Sequence, residues 1–295
     1  MLVVRVGAPN GLPPAAVAIG TFDGVHLGHR AVLGWVRRKA EDLGTGTTVI
    51  TFDRHPRSVV GAGGRPAMLM TVEQKLEALA ASGLVDHVLL VPFDRERSRQ
   101  EAAQFVAEVI TGLARARSVV VGQDFRFGAG RSGTVDTLRR LGRAWGFSVE
   151  ACPPVADGTE HRCSSTLVRG LVAAGDLATA QRLLGRPFEV ACDVVPAERA
   201  DDGPQRWLSL RARPFQCLPP GGSYVGELCE TASGLSLSPC RARVVPASGH
   251  RRAGLAVACD EPVALSGAEA RFRFGSSTER RYRRGASPHD KIFVR

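Results

Sequence analysis

At 295 residues, with 44% hydrophobic and 23% charged residues, the chain is long enough for two ordinary globular domains and too apolar to be disordered. Its formal net charge of +10 would suit a nucleic-acid binder, but much of the arginine falls in loops and in the C-terminal third, not along one helix face; phosphorylated small substrates also favour such a surface, and a nucleic-acid partner is not expected. No apolar run approaches the roughly 18 to 20 residues of a membrane span, and Met1–Arg5 lacks a signal-peptide pattern, so the sequence predicts a cytoplasmic protein with no membrane partner.

Residues 1 to 16 hold a short apolar opening and a turn at Asn10-Gly11. Val17-Ala18-Ile19 then reads as a core strand that feeds Gly20, and within ten residues the pattern turns helical, with Val32, Trp35 or Val36, Ala40 and Leu43 three or four apart. Gly20, Gly24 and Gly28 remove side chains where a backbone turns sharply or admits a ligand, and the helix start offers unpaired N–H groups to an anion. A phosphate is the ligand this predicts. His26-Leu27-Gly28-His29 places two imidazoles on one face of the first helical turn, although two histidines near a helix start also serve as caps or surface groups. Neither i, i+4 spacing nor further nearby ligands support zinc, and the metal ligands are left open.

Thr47–Phe52 reads as a second buried strand whose carboxyl end delivers Asp53, His55 and Pro56, followed by a flexible Gly61–Gly64 loop. In an open parallel sheet ligands gather outside such strand ends, where an ordinary turn is the alternative. Thr71–Gln74 fits a capping box that opens a helix running to Gly83, and Ser98–Glu101 fits another before Phe105, Val106, Val109 and Ile110. Asp86–Phe93 is a third strand and Ser118–Gly122 a fourth, ending at Asp124-Phe125-Arg126-Phe127-Gly128, where two aromatics around an arginine offer a wall for a ring or a pair for the core. A helix through Leu138 and Leu141 and a fifth strand, Phe147–Ala151, complete a β-α alternation of the doubly wound type. Ser164-Ser165-Thr166 can cap the helix that carries Leu167, Val168, Leu171 and Val172, with Arg169 one turn in, either gripping phosphate or solvated. Beyond residue 188 short runs, Trp207–Arg211, Tyr224–Leu228 and Leu255–Ala258, alternate with Pro/Gly turns and read as an all-β domain. Seven cysteines with no C-x-x-C pair predict reduced thiols, several of them half-buried, and neither a disulfide framework nor a zinc ribbon.

Gly20 to His29 resembles the G-x-F-D-G-x-H-x-G-H signature of the bacterial FAD synthetases, the bifunctional riboflavin kinase/FMN adenylyltransferase family within the H-x-G-H nucleotidylyltransferases. Three further segments agree in order: Thr51–Pro56 resembles T-F-x-P-H-P, with Arg54 in place of proline; Val121–Gly128 resembles V-G-x-D/N-F-R-F-G; and Ser164–Arg169 resembles S-S-T-x-I-R. The resemblance implies a Rossmann-like nucleotidylyltransferase domain over residues 1–187 and a diverged, barrel-like riboflavin-kinase-type β domain over 188–295. It implies transfer of AMP from ATP, with Mg²⁺, to FMN. His26, His29 and Arg169 would be catalytic; Gly20, Phe22, Asp23, Gly24, Gly28, Ser164, Ser165 and Thr166 would bind the nucleotide; Asp53, His55, Pro56, Asp124, Phe125 and Phe127 would lie by the flavin. Leu218–Tyr224 is similar to the kinase's L-P-x-G-x-Y segment, but no G-x-x-x-G-R-x-L-G-F-P-T-A-N stretch is present, so the kinase half is expected to be inactive. Two other readings remain: a related nucleotidylyltransferase with another acceptor or nucleotide, and a non-catalytic basic regulatory or nucleic-acid-binding homologue.

Overall fold

Five consecutive buried residues, Ala15–Ile19, form the strand on which the first half of the chain is built. The computed structural model describes residues 1–6, 11–60, 66–155, 162–195, 207–231, 236–247, 253–259, 263 and 268–275. The chain divides into two units, Met1–Ala67 with Val72–Leu167, and Met68–Thr71 with Val168–Arg295.

In the first unit, strands β1 (Leu2–Arg5), β2 (Ala15–Ile19), β3 (Gly46–Phe52), β4 (His87–Val91), β5 (Ala116–Gly122) and β6 (Ser148–Cys152) make one parallel sheet in the order β1-β4-β3-β2-β5-β6. Helices α1 (Leu27–Leu43), α2 (Arg57–Val60), α3 (Val72–Ala81), α4 (Arg95–Arg99), α5 (Ala102–Phe105, continued by a π-helical stretch Val106–Leu113) and α6 (Val135–Trp145) connect the strands; α7 (Ser165–Ala174) starts in this unit and continues into the second, which also holds α8 (Leu177–Leu184). Val17, Ile19, Ile50, Leu89, Val119 and Val121 on the sheet bury against Val106, Val109, Ile110, Leu138 and Phe147. This explains the continuous apolar runs, because a parallel strand covered on both faces has no polar side to alternate with. After β2 the chain adds β3 and β4 on one side and then crosses to place β5 on the other. The strand order therefore reverses between β2 and β5, which is where an open sheet of this kind has its ligand crevice.

The second unit carries β7 (Glu189–Val195), β8 (Trp207–Ala212), β9 (Gly222–Glu230), β10 (Ser236–Val245), β11 (Gly254–Cys259) and β12 (Glu269–Phe274), closed antiparallel in the order β10-β11-β8-β7-β12-β9. Phe188, Val190, Leu228, Val257, Phe272 and Phe274 are buried there, and the Phe274 ring meets Phe272 and Tyr224 edge-on at 4.8 and 5.4 Å. Met68 joins this unit because its N–H donates to Phe215 O and its carbonyl accepts from Cys217 N.

The α/β sheet with a β barrel matches the fold class expected from sequence, with four local corrections. Residues 2–5, the short apolar opening, form a sixth strand of the sheet, an edge strand with Leu2 and Val3 exposed, too short a run to be told from a loop by pattern alone. The second capping box lies at Glu101 and Gln104, not at Ser98 and Glu101, because Asp94 caps a separate short helix, α4, that already contains Ser98. The barrel contains β7, β10 and β12 in addition to the three expected runs. Cys240 and Cys259 are joined in a disulfide, since the β10–β11 register sets them directly opposite with Cα atoms 4.2 Å apart, while Cys152, Cys163, Cys192, Cys217 and Cys229 are buried thiols outside any disulfide. The Asn10 turn and the Gly61–Gly64 loop lie outside the described residues. Among the described residues no helix is long and apolar enough to cross a membrane.

Candidate active site

The loop from Gly20 to His26 leaves β2 at the reversal of strand order and is held in an unusual backbone shape. Phe22 and Val25 have φ of 49° and 38°, and Gly24 lies at 87°. Only glycine takes such angles freely, so a non-glycine residue is kept there by its surroundings, here the complete burial of the Phe22 and Val25 side chains. Asp23 is buried as well, and its carbonyl accepts from the Ser165 hydroxyl at 2.8 Å, which binds this loop to the start of α7.

His26 is the N-cap of α1: its Nδ1 accepts the His29 backbone N–H at 3.3 Å. An imidazole whose Nδ1 accepts carries its proton, when neutral, on Nε2, so the cap fixes His26 as an Nε2–H donor. The Cys163 thiol, buried 3.5 Å from the same Nδ1, adds a second contact to that face. The His29 ring stacks on His26 with centroids 3.7 Å apart and 18° between planes, and Phe22 closes on His29 at 5.0 Å. The two imidazoles thus share one face at a helix N-terminus, where backbone dipoles already favour an anion.

Gly28 is needed for this packing. A Cβ there would lie 3.2 Å from the His26 ring and 3.3 Å from Cys163 O. Alanine would favour the helix by roughly 0.5–1 kcal/mol, so Gly28→Ala should leave the melting temperature nearly unchanged while turning the His26 ring and lowering kcat about tenfold. Thermal melts alongside steady-state kinetics check both halves of this expectation, and an unchanged kcat would show that the ring's setting does not matter.

Ser164 caps α7 by accepting Leu167 N–H at 3.2 Å, Ser165 is committed to Asp23 O, and Thr166 occupies the next position of that first turn. Arg169 stands one turn further along the same helix, in the second unit. Asp53 follows β3; its Oδ1 accepts Phe93 N–H at 2.9 Å and its other oxygen lies 3.5 Å from Arg54. His55 Nδ1 accepts from Arg57 N, and Pro56 O accepts from Val59 and Val60, so both residues shape the start of α2. Asp124 is exposed and ion-paired with Arg162. Phe125 and Phe127 stack at 5.4 Å, but Phe127 is buried in the core against Phe105, pinned by a bridge to Gly133, whereas Phe125 is half-exposed. Two residues of the site were not apparent from sequence: Cys163, and Lys75 of α3, which is buried beneath the ends of β2 and β3. Neither lies in a pattern that marks chemistry. Among the described residues no group of three or more His, Cys, Asp or Glu side chains converges as a metal site.

The sequence profile described as FAD synthetase matches residues 9–167, more than half of the chain. The chain belongs to the FAD synthetase family. A bifunctional riboflavin kinase/FMN adenylyltransferase from Escherichia coli (strain K12) is 37% identical over 179 residues, covering 61% of this chain and 56% of that protein. One of the same name from Pseudomonas fluorescens is 40% identical over 182 residues, covering 61% and 57%. The chain therefore spans little more than half the length of these two FAD synthetase relatives. The crystal structure of a macrolide-efflux protein from Streptococcus pneumoniae shares the fold, with a TM-score of 0.79, 22% identity, and coverage of 93% of this chain and 90% of that one.

Proposed function

We propose that the protein is an FMN adenylyltransferase: an oxygen of the FMN phosphate attacks the α-phosphorus of ATP, the bond from that phosphorus to the β-phosphate oxygen breaks, and pyrophosphate leaves with the electron pair, giving FAD. The observation that carries this reading is the stacked His26–His29 pair at the N-terminus of α1, beside the reversal of strand order. The attacking phosphate is already anionic, so the reaction calls for in-line positioning and charge neutralisation more than for a strong base. A buried Nε2–H donor beside a helix N-terminus supplies that neutralisation. On this reading His26 and His29 stabilise the transferring phosphoryl group and the departing pyrophosphate, and the glycine loop and the Ser164–Thr166 helix start hold the nucleotide. Arg169 grips the β/γ side, and Asp53, His55, Pro56, Asp124 and Phe125 lie by the flavin with Phe127 as support from the core. Mg²⁺ arrives with the nucleotide, whose phosphates and waters commonly supply most of its ligands. Residues 1–187 serve as the nucleotidylyltransferase domain and 188–295 as a diverged kinase-type barrel.

Purified protein given FMN, ATP and Mg²⁺ should release pyrophosphate and form FAD in equal amounts. A panel of other nucleotides and phosphorylated acceptors should be poorer, and turnover confined to a different pair would replace this assignment. Arg169→Ala should mainly raise the KM for ATP, and Arg169→Lys should restore it only in part, since a point charge does not reproduce a planar fork. Full rescue by lysine in steady-state kinetics would show that the bidentate grip is not used.

A further inference from the structure

Only three of the chain's 39 basic residues are lysine: Lys39, Lys75 and Lys291. One of these three is the buried cation beneath the candidate active site. Lys75 is 6% exposed, and its ammonium donates to Phe52 O at 2.7 Å, Thr51 Oγ1 at 3.1 Å and Thr21 O at 3.4 Å. Thr51 Oγ1 itself donates to Thr21 O at 3.2 Å. Three acceptors around one nitrogen match the three N–H bonds of an ammonium, and a planar guanidinium would not fit that cage. The acceptors belong to two segments: Thr21 lies in the loop that leads to His26 and His29, and Thr51 and Phe52 end β3 just before Asp53 and His55. We infer that Lys75 is a positioning residue of the adenylyl-transfer site, fastening the histidine loop to the Asp53–Pro56 loop through its ammonium, so that the fastening is complete only while the amine is protonated. This inference rests on the activity proposed above.

The charged groups that face Lys75 are Asp23 from the histidine loop, Asp53 from the loop after β3 and paired with Arg54, and Glu73 on α3 itself. Burial pushes the amine down to about 8 despite these three carboxylates. Loss of the proton leaves two N–H bonds for three acceptors and removes one positive charge from beneath a phosphate site. The stability sign is opposite. Between about pH 8 and 10.5 the unfolded chain holds this proton more tightly than the folded one, so this group's contribution to stability rises with pH while the fastening is weakened. A lysine that merely held the fold together would not separate the two trends.

Three lysines allow a direct test in the 295-residue chain labelled with ¹³C-lysine. One of the three ¹³Cε signals should titrate near pH 8, disappear in Lys75→Met, and move to higher pH when ATP is added, because a polyanion above the ammonium favours its charged form. Wild-type kcat should fall through the same pH range, with KM for FMN and ATP changing little. Lys75→Met should turn over about a hundredfold more slowly with no alkaline limb near pH 8, since misplacing reacting groups by about 1 Å costs on that order. The melting temperature of the wild type relative to Lys75→Met should climb from pH 8 to 10. If Lys75→Met does not fold, Thr51→Val, which removes one acceptor, should shift the signal further down and lower kcat. The inference is overturned if all three signals titrate near 10.5, if ATP leaves the low signal unmoved, or if a folded variant keeps wild-type kcat. A signal near pH 8 that responds to ATP in a protein making no FAD would leave the fastening intact and refute the activity instead.

Discussion

Replacing His29 by alanine should lower kcat by about 10² to 10³ while leaving the fold in place. A preorganised donor aimed at developing charge commonly contributes roughly 2.7–4 kcal/mol, and His29 is half-buried, stacked on His26 at 3.7 Å and closed in by Phe22. This variant is informative because of how α1 begins. The capping bond runs from the backbone N–H of residue 29 to the His26 ring, and alanine supplies that N–H as well as histidine does. His26→Ala would instead remove the cap, at about 1 kcal/mol, and the contact to Cys163 along with any catalytic role, so loss of activity there would be ambiguous. Single-turnover FAD formation with circular dichroism on the same sample separates chemistry from folding. A His29→Ala protein that is folded and turns over at the wild-type rate would remove the imidazole pair from the mechanism.

The loop from Gly20 to His29 was legible in the sequence because its features are local. A strand's apolar run, a glycine at φ 87° and a helical period all fall within about twenty residues, and the structure assembles them in that order. What remained hidden depends on residues far apart in the chain. Lys75 sits in a helix beside Glu73 and Gln74, and such a segment looks solvent-facing until β2 and β3 are laid over it. Cys163 acquires meaning only beside His26, 137 positions away. The Cys240–Cys259 link follows from strand register in the barrel, and the short exposed strand β1 becomes visible only through its pairing with β4. Phe125 and Phe127 show the limit of motif reading within one loop: two residues apart and alike in type, one is half-exposed and the other is fixed in the core because Gly133 leaves room for its ring, a Cβ there coming within 2.7 Å.

The protein should form no FMN from riboflavin and ATP, yet form FAD when FMN is supplied. Phosphorylating riboflavin requires a backbone cradle for the ATP phosphates and oxygen ligands for Mg²⁺, and the sequence lacks the glycine-rich stretch and the Thr-Ala-Asn that would arrange them. Carboxylates alone do not make that site. Of those near the start of the barrel, Asp193 is held by Arg213 at 3.0 Å, in an ion pair that also involves Glu269, and Glu198, Asp201 and Asp202 lie outside the described residues. Within the barrel, Phe188, Phe272 and Phe274 are fully buried with Val190 and Leu228, and the Gly226 backbone is pressed so closely against Arg273 O and Phe272 that only glycine fits. That packing closes the β domain around an apolar core, and without a kinase site its expected role is structural or partner-binding. Incubation with riboflavin, ATP and Mg²⁺, followed by separation of the flavins, should return riboflavin alone, while the same protein with FMN yields FAD. Riboflavin phosphorylation at a rate comparable to adenylylation would mean that barrel residues read as structural have been rebuilt into a second nucleotide site.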